Sequence, residues 1–280
     1  MSKHIIDLLN RSLEGEHTAI VQYLTHAYAM GEGELACEIE AIAREEMRHL
    51  DWLAETIVEM GGMPSINRGM MRPSDGPVPQ WMWNDVLQEE DAIALYREHI
   101  ETIDDPKVKR LLRRILSDEE AHHGMFNRMM KEAKEEKLED KSGSLQNHTT
   151  KILDWGIKHE YTVVLQYLLH AYLATDQEVK DKLHDQAINE MQHLGWLAEE
   201  KVAHQGTPRI EHTHVDMSRN MRDMLKANIK VEREAVEEYG RHAKEISEEG
   251  LKRLLTRIQS HEVYHDLIFS DLLNKLEGKG

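Results

Sequence analysis

The chain of 280 residues contains one cysteine, Cys37, only two phenylalanines and six prolines. A single thiol excludes a disulfide framework, a thiolate zinc site and a rubredoxin-type iron centre, and it is typical of a reducing compartment. No apolar run is long enough to span a bilayer, and no signal-peptide h-region follows Met1. We therefore expect a cytoplasmic protein.

Positive charge is also scarce, because 35 Lys and Arg oppose 52 Asp and Glu for a formal net charge of −17. This balance argues against nucleic acid or an anionic membrane as a partner, and it raises the local concentration of cations. Solubility explains the acidity equally well, so the charge alone does not identify a ligand.

Apolar residues recur at three- and four-residue spacing along nearly the whole chain, which predicts an all-α protein. We place the first four helices at 3–30, 33–61, 80–104 and 106–138. The connections after the first and third helices are short, whereas 61–80 is long and rich in Pro. Two hairpins joined by one long crossover make a four-helix bundle.

The same order of segments occurs twice. QYLTHAY at 22–28 returns as QYLLHAY at 166–172, and KRLLRRI at 109–115 returns as KRLLTRI at 252–258. Matched residues are 144 positions apart in the first two helices and 143 apart in the last two. We therefore predict two tandem bundles, with domains at 1–143 and 144–280, and not a short-period solenoid.

The second helix of each half carries a Glu-x-x-His motif, Glu46 with His49 and Glu190 with His193. Residues three apart lie on one helical face, so the carboxylate and the imidazole can reach one metal ion. A lone copy would more often be a surface Glu–His pair. Two copies in matching contexts, EEMRHLDWLAE and NEMQHLGWLAE, favour metal ligands.

Comparison of the halves selects the other ligands, because only some acidic positions are acidic in both. The fourth helix offers two overlapping pairs in DEEAHH, and the second half retains only one of them. The candidates present in both halves are Glu16, Glu46, His49, Glu89, Glu119 and His122, matched by Glu160, Glu190, His193, Glu232, Glu262 and His265. Two helices with one Glu and two with Glu-x-x-His form the ligand pattern of di-iron and di-manganese carboxylate bundles.

Hard carboxylates with imidazole suit Fe(II), Fe(III) and Mn(II). Two such metals joined by carboxylates can deliver two electrons to O2 or H2O2, and metal oxidation can itself be the reaction. Tyr23 and Tyr167 follow the first-helix Glu by seven residues, two turns on and on almost the same face. Each is a candidate catalytic phenol, and a core tyrosine whose hydroxyl finds a partner is the equally weighted alternative.

Each half resembles bacterioferritin, within the ferritin-like superfamily. The resemblance lies in GEHTAIVQYL around Glu16, EEMRH around Glu46, LQEEDAIALYREHI around Glu89 and SDEEAH around Glu119. It implies a dinuclear iron centre in each half, bridged by the carboxylates of the second and fourth helices, with those of the first and third as terminal ligands. Two iron ions per bundle make four per chain. The fusion of two bundles and the missing fifth helix depart from the usual bacterioferritin subunit, and they bear on whether a hollow shell forms.

The resemblance also implies a haem ligand. Met47 and Met191 directly follow the second-helix Glu, where bacterioferritin has a Met that ligates haem together with its counterpart on a paired subunit. A helical step of about 100° turns these methionines towards an outer face. Packing between the bundles is the alternative role.

The sequence thus predicts a non-haem di-iron oxidoreductase of the ferroxidase or peroxidase type. Its small substrates would be Fe(II) and O2 or H2O2, with an unidentified electron donor. Bacterioferritin-like iron storage in a homo-oligomeric shell and manganese catalase-like disproportionation of H2O2 are the alternatives. A helical interaction protein with relic sites is the last.

Overall fold

A computed structural model describes residues 2–31, 33–72, 76–133, 148–204 and 206–278. All regular structure within these ranges is helical, which confirms the predicted all-α class. The helices are α1 (Ser2–Met30), α2 (Glu34–Glu59), α3 (Val78–Thr102), α4 (Pro106–Glu132), α5 (His148–Leu173), α6 (Gln177–Ala203), α7 (Met221–Glu245) and α8 (Glu249–Gly278). None of these helices is long and apolar enough to cross a membrane.

The chain divides into two compact units, Met1–Asp140 and Lys141–Gly280, with four helices in each. The predicted boundary between 143 and 144 lies outside the described residues. In the first unit α1 and α4 both pack on α2 and α3, and in the second α5 and α8 both pack on α6 and α7. α4 is shorter than predicted, because the chain leaves the helix at Ala133.

Local signals in the sequence set the helix ends. Asp105 caps α4 by accepting hydrogen bonds from two backbone N–H groups of its first turn at 2.8 and 3.0 Å, and Pro106 occupies the first helical position. α2 ends at Glu59, and Gly61, two residues on, has a φ of 79°, a left-handed conformation that favours glycine. The next N–H, of Gly62, donates to the carbonyl of Ile57 at 2.8 Å and closes the helix end.

The long connection between the second and third helices of each unit is fastened along the first helix. In the first unit the N–H of Gly69 donates to Thr18 Oγ1 and the N–H of Arg72 donates to Gln22 Oε1, both at 2.8 Å. Gln166, which matches Gln22, accepts the N–H of Asp216 at 2.9 Å in the second unit. The crossover therefore runs beside the first helix and leaves the bundle interior to side chains of the four helices.

The buried stripe of the fourth helix of each bundle alternates steps of four and three residues, the spacing of a helix that faces a bundle core. In α4 the buried residues are Val108, Leu112, Ile115, Glu119, His122, Phe126 and Met129, and in α8 they are Leu251, Leu255, Ile258, Glu262, His265, Phe269 and Leu272. Two consecutive positions of an otherwise apolar stripe are thus occupied by Glu and His. The predicted ligands take core positions.

Candidate metal centres

In the first bundle the six predicted ligands converge in the interior from all four helices. Their side chains are almost fully buried, with 0 to 3% of each residue exposed. His49 Nδ1 lies 2.8 Å from Glu46 Oε2, 2.9 Å from Glu119 Oε1 and 3.4 Å from Glu16 Oε2. On the other side of Glu46, His122 Nδ1 lies 2.9 Å from Oε1.

These atoms fall into two overlapping groups. One contains Glu16, Glu46, His49 and Glu119, and the other contains Glu46, Glu89, Glu119 and His122; the ligand atoms of each group lie within 4.8 Å of one another. Glu46 and Glu119 belong to both groups, and the two imidazole rings are 5.9 Å apart. The arrangement is that of two adjacent positions joined by two carboxylates.

The second bundle repeats this geometry at the matched residues. His193 Nδ1 lies 2.8 Å from Glu190 Oε2 and 3.1 Å from Glu262 Oε1, and His265 Nδ1 lies 2.8 Å from Glu190 Oε1. Glu190 and Glu262 are common to the two groups, which Glu160 completes on the His193 side and Glu232 on the His265 side. The imidazole rings are again 5.9 Å apart. All twelve predicted ligands therefore lie in two matching clusters.

The clusters fit metal ions on two observations. Donor atoms about 2.1 Å from one ion and about 90° apart lie about 3 Å from each other, which matches the N···O distances above. In addition, several buried donor atoms, although some lie within ion-pair distance of one another, lack a hydrogen bond of suitable geometry among the described residues: Glu46 Oε1, Glu89 Oε2, Glu119 Oε1, His122 Nδ1, both oxygens of Glu190, His193 Nδ1, Glu262 Oε1 and His265 Nδ1. Leaving so many polar atoms in a core without a well-formed hydrogen bond is costly, and a bound cation would remove that cost.

The electrostatics of the metal-free clusters point the same way. Burial, followed by the charge of Glu46, raises the pKa of Glu16 to about 8. Burial lowers the pKa of His122, but the bonds to Glu46 and Glu45 and the charges of Glu46 and Glu89 together outweigh it, and the pKa rises to about 9. The pKa of His193 rises against the effect of burial to about 12, because three carboxylates surround it. Near neutral pH the clusters therefore hold protons that a cation can replace.

Tyr23 and Tyr167 lie beside the clusters, as predicted from their spacing. Tyr23 donates its hydroxyl to Glu89 at 2.5 Å, and Tyr167 donates to Glu232. Both rings are fully buried, and each packs on one of the two phenylalanines of the chain, Phe126 in the first bundle at a centroid distance of 4.8 Å. The phenols thus contact the carboxylate contributed by the third helix.

A second tyrosine in each bundle, which the sequence did not predict, also contacts a ligand carboxylate. Tyr96 on α3 donates to Glu16, and Tyr239 on α7 donates to Glu160. In each bundle, a tyrosine of the first helix therefore donates a hydrogen bond to the glutamate of the third helix, and a tyrosine of the third helix donates to the glutamate of the first. The signal was present, since Tyr96 follows Glu89 by the same seven residues that separate Tyr23 from Glu16.

The candidate haem ligands and one buried histidine of α1 do not belong to these donor groups. Met47 and Met191 are partly exposed on α2 and α6, within their own bundles, which agrees with the predicted outer face. His26 pairs with Asp85 at 2.8 Å, and both side chains are fully buried. His26 is therefore a partner of another core side chain.

Fold and clusters together define a helical bundle with buried carboxylate and imidazole groups able to hold a pair of metal ions. A model of the ferritin-like domain of the Ferritin family matches residues 6–135 and again 150–278. The chain therefore belongs to the ferritin-like family, as a tandem pair of its domains. A rubrerythrin model also matches residues 85–201, which begins in α3 of the first bundle and ends in α6 of the second.

Similarity to individual proteins confirms the resemblance to bacterioferritin. The chain is 33% identical over 124 residues to bacterioferritin of Desulfovibrio desulfuricans, a match that covers 42% of this chain and 69% of that protein. It is 30% identical over 125 residues to bacterioferritin of Rhodobacter capsulatus, covering 42% and 77%. A solved structure of the Desulfovibrio protein, described with its diiron site in different catalytic states, has a TM-score of 0.45 at 31% identity and covers 46% of this chain and 80% of that chain.

The Rhodobacter protein has also been solved. Its structure, described with a metal-free dinuclear site and haem iron, has a TM-score of 0.44 at 28% identity and covers 46% of this chain and 84% of that chain.

Proposed function

We propose that each bundle binds iron at a dinuclear centre and oxidises Fe(II), with O2 or H2O2 as the oxidant, in a protein that handles iron as bacterioferritin does. The observation that carries this proposal is the pair of overlapping donor groups in each bundle, which share Glu46 and Glu119 or Glu190 and Glu262. Four carboxylates and two imidazoles per bundle suit iron, and none of the four donor groups contains a thiolate that would favour a softer ion. The full load would be four iron ions per chain.

When bound there, a pair of iron ions would supply two electrons for the reduction of the oxidant. The side chains of the cluster would bind and position the two ions. Glu46 and Glu119, which belong to both donor groups, would hold both ions, while Glu16 and Glu89 would each complete one position. The burial of all six side chains excludes bulk water, so the carboxylates keep their full electrostatic effect on a cation.

The phenols orient the terminal carboxylates and give a buried proton a defined place. With Tyr23 donating to Glu89 Oε1, the other oxygen of Glu89 has no partner among the described residues and is free to bind a cation. Because Tyr23 is bonded to a carboxylate that would hold a metal ion, it could supply a hydrogen atom there. We therefore keep Tyr23 and Tyr167 as the candidate catalytic tyrosines, and we add Tyr96 and Tyr239 as residues that position Glu16 and Glu160.

The test is anaerobic loading of metal-free protein with Fe(II), followed by exposure to O2 or H2O2. We expect about four Fe(II) per chain to be bound and oxidised, and metal analysis of protein purified without added metal to return iron. Manganese in that analysis, with release of O2 from H2O2, would instead indicate a manganese catalase-like reaction. Protein that binds neither metal would be a helical protein with relic sites.

Storage and catalysis without storage are separated by size. The similarity to bacterioferritins supports the alternative of bacterioferritin-like iron sequestration. Such storage would require a hollow assembly of many chains. Sizing in solution before and after iron loading distinguishes a large shell filled with ferric mineral from a small species that oxidises iron without retaining it.

Haem remains a separate proposal. The Rhodobacter bacterioferritin structure contains haem iron, and Met47 and Met191 are candidate ligands of this chain by their position after Glu46 and Glu190. The thioether of Met is also well suited to packing, so a spectrum of protein produced with ample haem decides between the two roles.

A further inference from the structure

The two clusters match in their six ligands but differ in what lies behind the imidazoles. In the first bundle each histidine turns Nδ1 to the cluster and Nε2 outward to a carboxylate. His49 Nε2 lies 3.4 Å from Asp118 Oδ2, and His122 Nε2 lies 2.9 Å from Glu45 Oε2. Both imidazoles of the first centre therefore donate to a negatively charged group.

The second bundle has neutral side chains at both matched positions. His261 stands where the first bundle has Asp118, and its Nδ1 lies 2.9 Å from His193 Nε2. Since His193 faces the cluster with Nδ1, its Nε2 carries the proton, and His261 Nδ1 accepts it. Asn189 stands where the first bundle has Glu45, and its amide is bonded to the carbonyl of Asp185 within its own helix at 2.9 Å.

The arginines next to these outer residues also differ between the two bundles. In the first bundle Arg114 donates to Asp118 at 3.0 Å, whereas the matched Arg257 in the second bundle lies over the ring of Trp196 at 4.2 Å. Arg48 pairs with Glu45 at 3.0 Å, and its matched residue is the neutral Gln192. In the first bundle, both carboxylates that accept from the imidazoles are thus paired with an arginine. In the second bundle, where the matched residues are neutral, Arg257 contacts Trp196 and the second arginine is replaced by Gln192.

The chemical consequence concerns the nitrogen that faces the metal. A carboxylate that accepts the outer N–H raises the basicity of the imidazole as a ligand, and a neutral acceptor does so less. We propose, on the basis of the function proposed above, that the two centres of this chain are not equivalent. The first binds a divalent ion more tightly and favours the trivalent state, and the second binds more weakly and is easier to reduce. Asp118, Glu45 and His261 act as positioning residues through the ligands.

The expected difference is at the lower end of the usual effect of such partners, which is about 10- to 100-fold in metal affinity. Asp118 and Glu45 are both shared with an arginine, and the side chain of Glu45 is 46% exposed, so part of their charge is neutralised or screened. About tenfold is therefore our estimate. The same factor applied to the preference for the oxidised ion places the two midpoint potentials about 59 mV apart.

The test is an anaerobic titration of the metal-free, full-length protein with Co(II), in which binding is monitored by the absorption bands of the bound Co(II). We expect two phases of about two ions each, separated by about tenfold in affinity. Asp118→His should shift the tight phase towards the weak one, and His261→Asp should shift the weak phase towards the tight one. Asp118→Asn, which is closer to the native residue in size, covers the case in which Asp118→His does not fold.

A second readout is the midpoint potential of iron-loaded protein, followed by the loss of the ferric signal on stepwise reduction. We expect two potentials, which His261→Asp should bring together. A purely structural role for His261 would leave them apart. Four equivalent Co(II) ions, or affinities and potentials unchanged by the exchanges, would overturn the inference while leaving the proposed function intact. Protein that binds no Co(II) or iron at all would overturn both.

Discussion

Replacing Glu46 with Gln tests the central feature of the site, which is that one carboxylate serves two metal positions. Glu46 lies 2.8 Å from His49 Nδ1 on one side and 2.9 Å from His122 Nδ1 on the other, and it belongs to both donor groups of its bundle. Glutamine keeps the size of the side chain but removes the negative charge. Glu46→Gln should therefore weaken both ions of the first bundle and lower the load from about four ions per chain to about two.

The effect on stability follows from the number of ions lost. An ion present at a hundred times its dissociation constant stabilises the folded protein by about 2.7 kcal/mol, so two ions contribute about 5 kcal/mol. For a unit of 140 residues, about 3–4 °C per kcal/mol converts this into a fall of roughly 15–20 °C in the unfolding temperature of the first bundle. The unfolding temperature of the second bundle should not change.

The assay combines metal analysis with differential scanning calorimetry at a fixed excess of Fe(II) under anaerobic conditions. Glu190→Gln is the matched variant and should move the other transition, and Glu101→Gln, at an exposed position of α3, is the control that should move neither. A retained load of four ions would refute the role of Glu46. If both transitions move with one substitution, the bundles are coupled and do not act independently.

Three further predictions concern protons, phenols and haem. Without metal, Glu16 binds its proton more tightly in the folded than in the unfolded protein, because folding raises its pKa from 4.5 to about 8. Its contribution to stability therefore declines as the pH rises through that range. The urea concentration at the unfolding midpoint should fall with rising pH in metal-free protein and stay constant in metal-loaded protein. Tyr23→Phe should slow Fe(II) oxidation about tenfold with the metal load retained, and an equal loss in Tyr96→Phe would assign both phenols to orienting carboxylates. Protein produced with ample haem should show a Soret band that Met47→Ala removes, and a spectrum without that band would leave Met47 and Met191 as packing residues.

The sequence alone determined the all-α class, the two bundles and the twelve residues that converge. The reason is that a helix has a fixed period, so the alternating steps of four and three in α4 assign Glu119 and His122 to the core without any coordinates. The duplication supplied the rest, because a side chain required by the interior is retained in both halves, as Glu89 is by Glu232, while surface neighbours such as Glu90 are not.

Tertiary structure decided everything that depends on distance between helices. Tyr96 and Glu16 are 80 positions apart, and only the packing of α3 on α1 brings the phenol to the carboxylate. The contact between His193 and His261, across 68 positions, is of the same kind. Helical periodicity specifies which face of a helix a residue occupies, but the partner on the neighbouring helix depends on the axial alignment of the two, which packing and loop length determine together.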